Sequence, residues 1–165
     1  MKKTLIGSLT AIVLFNSCLK SHDSQPVCDP NYNPCALVAP ASEVTAVENY
    51  ISQKGITNAF KHCSGMYFAI DSAGSGKAAT VCSNVYIEYK GELTNGNGID
   101  STSGGPAYFN VSGLLPSFKD AIPLIREGGG MHLYIPPTLG YGSQQVGTIP
   151  ANSILIFQLK LVAVQ

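Results

Sequence analysis

The 165-residue sequence contains no tryptophan, few charged residues and no excess of either sign of charge. Charged residues make up 12% of the chain, and the formal net charge is zero. Nucleic-acid binding needs a basic face that meets the phosphates, so we expect no nucleic-acid partner. The apolar run from Leu5 to Phe15 is shorter than the roughly 20 residues that cross a bilayer, so it does not predict a membrane-spanning helix.

The residues that are abundant indicate a β-rich domain with many turns. The chain has 17 glycines and 10 prolines, and its Val, Ile, Tyr and Phe residues fall in short runs. Glycine and proline punctuate turns, while β-branched and aromatic residues favour strands. The length leaves room for one domain of ordinary size plus tails.

The N-terminus has the pattern of an export signal. Met1-Lys-Lys is basic, Leu5 to Phe15 is apolar, and Cys18 follows small or polar residues where cleavage is expected. The position of Cys18 resembles the lipobox of bacterial lipoproteins, although an ordinary secretory peptide would begin in the same way. We predict a signal peptide at residues 1–17 and a lipid anchor on Cys18. The mature chain would then be membrane-bound outside the cytoplasm, on the periplasmic side of the outer membrane.

Four further cysteines predict two disulfide bonds. Cys28, Cys35, Cys63 and Cys82 form an even set in an exported chain, which allows three connectivities. Proximity in the sequence favours Cys28 with Cys35 and Cys63 with Cys82. A metal site is the alternative, but the spacing lacks a Cys-x-x-Cys pair and His62 is the only nearby histidine, so we predict no metal.

The remaining chain divides by composition into three parts. Residues 18–41 are polar and proline-bearing, which indicates a tether. Residues 42–62 carry Val44, Val47 and Ile51 at helical spacing, which predicts a short amphipathic helix that packs on the edge of the domain. Residues 63–165 would form the main domain. Its alternating segments predict strands at 65–71, 85–89, 106–111, 131–135 and from 154 onward, and one helical pattern covers 114–127, where Pro123 should end the helix near Ile122.

One stretch near the C-terminus carries most of the functional information. The alternating run from Met131 to Ile135 stops at a Pro-Pro pair, which cannot donate to a β-ladder. Tyr141 then stands between two glycines, and a second apolar run begins at Ile154. Flanking glycines indicate a ring that another group approaches closely. Two strands and their loop would therefore present Tyr141 and Ile149 at an apolar pocket.

This stretch resembles the C-terminal signature of the FKBP family of peptidyl-prolyl cis-trans isomerases. The matching residues are Ile-Pro-Pro-x-Leu-Gly-Tyr-Gly at 135–142 and Ile-Pro-Ala-Asn-Ser-x-Leu-Ile-Phe at 149–157. Upstream, 85–93 and 99–102 resemble that family's opening strand and aspartate-bearing segment, and 109–126 resembles the strand and short helix that form the pocket floor. The resemblance implies an α+β fold, an antiparallel sheet wrapped around one short helix as a half-barrel. The short N-terminal helix would be added to it. In some exported relatives of the family such a segment mediates dimers, but this helix is shorter, and packing on the edge of the domain is favoured.

The resemblance also implies the residues of the site. Tyr89, Asp100 and Tyr141 would be catalytic: the Tyr89 phenol would bond the Asp100 carboxylate, and the Tyr141 hydroxyl would face the peptide carbonyl. The substrate-binding residues would be Ile99, Ala107, Leu114, Leu115, Phe118, Ile149 and Phe157. The family usually carries aromatic rings at the positions of Ile99 and Ala107 and tryptophan at that of Phe118. These three departures predict a less efficient catalyst.

The function implied by the resemblance is prolyl isomerisation of unfolded or partly folded exported proteins, with no cofactor. Macrolide inhibitors of the family would bind the same pocket. A non-catalytic proline-binding chaperone or assembly module is the alternative, and the departures at Ile99, Ala107 and Phe118 favour it. A purely structural envelope lipoprotein would leave the Tyr141 loop unexplained.

Overall fold

The computed structural model describes residues 28–165. The expected signal peptide, Cys18 and the first part of the tether lie outside these residues. None of the helices in the described part of the chain is long and apolar enough to cross a bilayer.

Seven strands form one antiparallel sheet within the described residues. They are β1 Phe60–Lys61, β2 Tyr67–Ser72, β3 Asn84–Leu93, β4 Gly98–Ser101, β5 Ala107–Asn110, β6 Gly130–Ile135 and β7 Leu155–Val164. Their order is β1-β2-β6-β7-β3-β4, and β5 pairs with β3 beside β4. The two ten-residue strands β3 and β7 pair from Val85 opposite Val164 to Leu93 opposite Leu155. The predicted α+β fold with an antiparallel sheet and one short helix is confirmed.

Helix α2, Pro116–Ala121, packs on the inner face of this sheet. It is shorter than the helical pattern of the sequence because Pro123 lacks an N–H and converts the next turn to a 3₁₀ helix at Ile122–Leu124. Phe118, Ala121 and Ile122 are buried with the inward side chains of β3, β6 and β7. A six-residue helix is unstable alone, so this packing holds α2 in place.

Helix α1, Ala41–Gln53, covers part of the outer face. Val47 is buried with Ala69, Tyr134 and Ile156, which alternate along their strands with residues of the inner core. Ile51 packs beside this cluster. The predicted helix is therefore confirmed, and its apolar side packs on its own domain.

Two disulfides attach the N-terminal segment to the domain. The pairing that sequence proximity favoured is wrong, because Cys28 is bonded to Cys82 and Cys35 to Cys63. Segment 28–40 runs along the domain, where the Ala39 N–H donates to the Ser64 carbonyl at 2.8 Å. Each cysteine of this segment therefore meets a turn of the domain, at 63 between β1 and β2 or at 82 just before β3.

Candidate functional site

A cavity of about 140 Å³ lies between the inner face of the sheet and α2. It is small beside the roughly 300–1,000 Å³ clefts that hold drug-sized ligands, so it suits one side chain of a larger ligand. Most of its lining is apolar, and three polar groups reach it from two tyrosines and one aspartate. The lining residues are Ile87, Tyr89, Asp100, Phe109, Leu114, Leu115, Phe118, Tyr141 and Phe157.

Tyr89 and Asp100 are brought together by the β3–β4 hairpin. Asn and Gly residues at 95–98 turn the chain, and Gly91 of β3 then pairs with Asp100 of β4. The Tyr89 hydroxyl donates to Asp100 Oδ2 at 2.7 Å. Burial, followed by this hydrogen bond to the carboxylate, raises the pKa of Tyr89 to about 12. The phenol is therefore neutral and a hydrogen-bond donor at physiological pH.

Aromatic rings form the floor of the cavity. Phe118 from α2 meets Phe157 from β7 edge to face, with ring centroids 5.0 Å apart. The Tyr89 ring lies 6.1 Å from Phe157 and 6.2 Å from Phe109. Such pairs contribute roughly 0.5–1.5 kcal/mol beyond the burial of their area. They also fix the shape of a dry, apolar wall.

Tyr141 closes the cavity from the loop that follows β6. The Pro-Pro pair ends that strand, and a 3₁₀ turn at Pro137–Leu139 leads directly to Gly140 and Tyr141. Leu139 is fully buried, and the Tyr141 ring is partly buried against the main core. The phenol therefore stands at the rim of the cavity on a turn that is packed into the domain.

The structure brings seven of the ten residues expected at the pocket into the lining of this cavity. The other three, Ile99, Ala107 and Ile149, do not line it: Ile99 packs partly buried against the core, Ala107 pairs with Ile87 at the start of β5, and Ile149 is buried in the loop before β7. Ile87 and Phe109 line the cavity but were not named as site residues from the sequence. Ile87 stands two positions before Tyr89 on β3, so the alternation of that strand was a signal for it.

A larger groove, of about 550 Å³, crosses the outer face of the sheet. Its side chains are mainly polar, and its charges are paired: Lys160 Nζ lies 3.4 Å from Glu88 Oε2, and Asp71 Oδ2 lies 3.0 Å from His132 Nδ1. The inner cavity combines an apolar lining with a few converging polar groups, which is the usual form of a binding site. It is the better candidate.

Within residues 28–165, no group of three or more His, Cys, Asp or Glu side chains could hold a metal ion. The four cysteine sulfurs of this part are used in disulfides.

Comparison with known proteins identifies the family of the chain. Residues 76–162, just over half of the chain, match the family described as FKBP-type peptidyl-prolyl cis-trans isomerase. The chain belongs to this family. The matched range contains α2, the Tyr141 turn and every residue that lines the inner cavity.

Several FKBP-type relatives are similar over most of this chain. FkpA of Buchnera aphidicola subsp. Schizaphis graminum is 34% identical over 72% of this chain and 47% of its own length. FkpA of Escherichia coli K12 is 33% identical over 72% of this chain and 43% of its own length. The crystal structure of FkpA from Escherichia coli superposes with a TM-score of 0.68 and 30% identity, covering 76% of this chain and 60% of that one. The chain spans less than half the length of the two curated relatives.

Proposed function

We propose that the chain is a peptidyl-prolyl cis-trans isomerase that assists the folding of proline-containing proteins. The observation that carries this proposal is the inner cavity, where an aromatic floor meets the Tyr89–Asp100 pair and the Tyr141 phenol. Membership of the FKBP family supports it. No cofactor is needed for the reaction.

The physical task is to lower the barrier of one amide rotation. The X-Pro bond resists rotation with roughly 18–20 kcal/mol, because the C–N bond has partial double-bond character. Water stabilises the planar amide, whose charges are separated. A dry pocket that accepts the prolyl ring removes this solvation, so the planar form loses stability relative to the twisted one. Each tenfold gain in rate needs only about 1.4 kcal/mol.

The side chains of the cavity have distinct proposed roles. Phe118 and Phe157, which line the cavity, would receive the prolyl ring. The Tyr141 hydroxyl would donate to the peptide carbonyl, and the Leu115 backbone N–H would bind a second carbonyl at the rim, beside Leu114. The Tyr89–Asp100 pair would form the polar side of the cavity and orient the twisted amide.

A peptide assay tests this proposal. The chain from Leu19 onward should accelerate cis-to-trans conversion in a series of short X-Pro peptides. Tyr141→Phe removes the proposed donor to the carbonyl, and Asp100→Ala removes the partner of Tyr89, so each should lower kcat/KM about tenfold or more. Circular dichroism of each variant checks that it is folded. If the folded wild-type protein accelerates the conversion of no peptide, the proposed isomerase activity is refuted.

The alternative is a proline-binding chaperone without useful catalysis. The non-aromatic residues at 99 and 107 and the phenylalanine at 118 favour it, because they leave fewer rings around the amide. Suppression of client aggregation without peptide isomerisation would support this alternative. The enzyme is supported if the protein isomerises peptides and if its suppression of client aggregation also requires Tyr141.

We further propose that the chain works outside the cytoplasm as a lipoprotein. Residues 1–17 would be its signal peptide, Cys18 its lipid anchor, 18–41 its tether, 42–62 its helical segment and 63–165 its isomerase domain. Its clients would be unfolded or partly folded exported proteins, and family macrolides would compete with them for the pocket.

Two disulfides support the proposal that the chain works in an oxidising compartment. Incorporation of labelled fatty acid into the wild type but not into Cys18→Ser would support the anchor, and equal labelling would contradict it.

A further inference from the structure

Helix α1 contacts the turn that carries Tyr141 through one carboxylate. Glu43 lies in the first turn of α1, outside the range matched to the family, and Thr138 lies in the 3₁₀ turn before Tyr141. Glu43 Oε2 accepts a hydrogen bond from the Thr138 N–H at 2.8 Å, and Glu43 Oε1 accepts one from the Thr138 hydroxyl at 2.8 Å. Both contacts are partly buried. Bonds to an ionised acceptor are about twice as strong as neutral ones.

The turn transmits this contact to both sides of Tyr141. The N–H groups of Gly140 and Gly142 both donate to the Pro137 carbonyl, at 2.9 and 2.8 Å. The Pro137 carbonyl and the Thr138 N–H belong to the same peptide unit. Glu43 binds this unit at its N–H, and the residues on either side of Tyr141 bind it at its carbonyl. The position of the Tyr141 backbone therefore depends on where Thr138 is held.

The fold of the turn does not itself require Glu43. Leu139 is fully buried, and a Cβ atom at Gly140 would lie 2.9 Å from Leu155 Cδ1, so the turn is also packed tightly against β7. Glu43 takes no part in this packing, so we expect the packing to survive the loss of Glu43. The substitution would instead free Thr138, and the position of the Tyr141 hydroxyl in the cavity depends on this part of the turn.

We propose that Glu43 is a positioning residue for Tyr141. It holds Thr138 at two points and so sets the distance between the Tyr141 hydroxyl and the substrate carbonyl. This inference rests on the proposed isomerase function and adds to it a contribution from the N-terminal helix. Displacing a catalytic group by about 1 Å can cost up to about 100-fold in rate, so a modest release of the turn should be measurable.

Four substitutions in the full-length, oxidised protein test this role. Glu43→Ala and Thr138→Val should each lower kcat/KM for an X-Pro peptide several-fold to about tenfold. Glu43→Gln keeps an acceptor for the Thr138 N–H, and Thr138→Ser keeps the hydroxyl, so both should recover most of the activity. Glu48→Ala is the matched control, because Glu48 lies on the same helix but bonds Tyr67 and Lys61. It should leave kcat/KM unchanged.

A double-mutant cycle separates positioning from general stability. If Glu43 acts through the Tyr141 hydroxyl, Glu43→Ala should have little further effect in a Tyr141→Phe background. An equal fold-loss in both backgrounds, or no loss in a folded Glu43→Ala protein beside an active wild type, would overturn the inference and leave the isomerase function standing.

A second readout does not depend on catalysis. In protein carrying ¹³C-labelled tyrosine, the Tyr141 ring resonance, assigned by its loss in Tyr141→Phe, should shift or broaden in Glu43→Ala and return in Glu43→Gln. An unchanged resonance would overturn the positioning role. An inactive wild type would refute the proposed function, and a ring resonance that nevertheless moved would show that Glu43 still positions Tyr141.

Discussion

At the scale of single residues, Gly91 shapes the cavity by having no side chain. A Cβ atom at this position on β3 would lie 2.6 Å from Phe157 Cζ and 3.0 Å from Ile99 Cγ1. The Phe157 ring therefore lies directly over the β3 backbone. This close approach lets Phe157 form part of the floor while Phe118 meets it at its edge.

Replacing Gly91 with alanine should push the Phe157 ring out of this position. We expect a loss of about 1–3 kcal/mol in the free energy of unfolding, because the site is overpacked, and weaker peptide binding, because the floor moves. Urea unfolding and peptide kinetics measure the two effects. Gly98→Ala is the control, since a Cβ there meets nothing within 4 Å. If the Gly91 and Gly98 variants behaved alike, this account of the floor would be wrong.

The sequence was informative for residues on regular strands and less so for those at edges and in loops. Tyr89 and Phe157 lie on strands whose alternation sets their direction, and both line the cavity. Ile99 and Ile149 do not line it, because the paths of β4 and of the loop before β7 depend on tertiary contacts. Phe109 was placed in the floor-forming segment 109–126 but not named as a site residue, because a phenylalanine on a strand has the same pattern whether it lines a pocket or fills a core.

At the scale of elements, α2 is held by a buried carboxylate as well as by its apolar side. Asp120 is almost fully buried, and its Oδ1 accepts a hydrogen bond from the Tyr32 hydroxyl at 2.6 Å. Its Oδ2 lies 3.8 Å from His62 Nδ1. Burial raises the pKa of Asp120, and the hydrogen bonds of Tyr32 and Ser64 together with the nearby His62 and Lys119 charges oppose that shift without cancelling it.

The raised pKa predicts how the contribution of Asp120 to stability changes with pH. The folded state binds the Asp120 proton more tightly than the unfolded state does, so this contribution is most favourable at low pH and is lost as pH rises through the folded pKa. The free energy of unfolding of the wild type, relative to Asp120→Asn, should therefore increase as pH falls from neutral towards 4. Urea unfolding of both proteins across this range measures the difference.

A control is needed because His62 faces the same carboxylate and can itself carry charge. The comparison is therefore repeated in a His62→Gln background, where the increase at low pH should persist. In that background, the difference in the free energy of unfolding between the protein with Asp120 and its Asp120→Asn variant should grow as pH falls. If this difference stays constant or decreases as pH falls, the shift is not caused by the burial of Asp120.

At the scale of the whole molecule, the domain could be anticipated but the path of the N-terminal segment could not. Five of the seven strands, α2 and the stop at Pro123 follow from local patterns of apolar residues and proline, whereas the short strands β1 and β4 were not predicted. The disulfides join residues 54 and 28 positions apart, and distance along a chain does not determine distance in space. The contacts of Tyr32 and Glu43 with the domain could not be predicted from the sequence for the same reason.

We propose that catalysis occurs in the inner cavity rather than in the larger outer groove. One NMR experiment tests it: a short X-Pro peptide is mixed with a small amount of isotopically labelled protein. We predict accelerated exchange between the cis and trans signals of the peptide. In a titration with excess peptide, shifts should concentrate at the amides of Leu115, Phe118 and Tyr141. Unchanged exchange with a folded protein, or shifts confined to the outer groove around Glu88 and Lys160, would contradict the account.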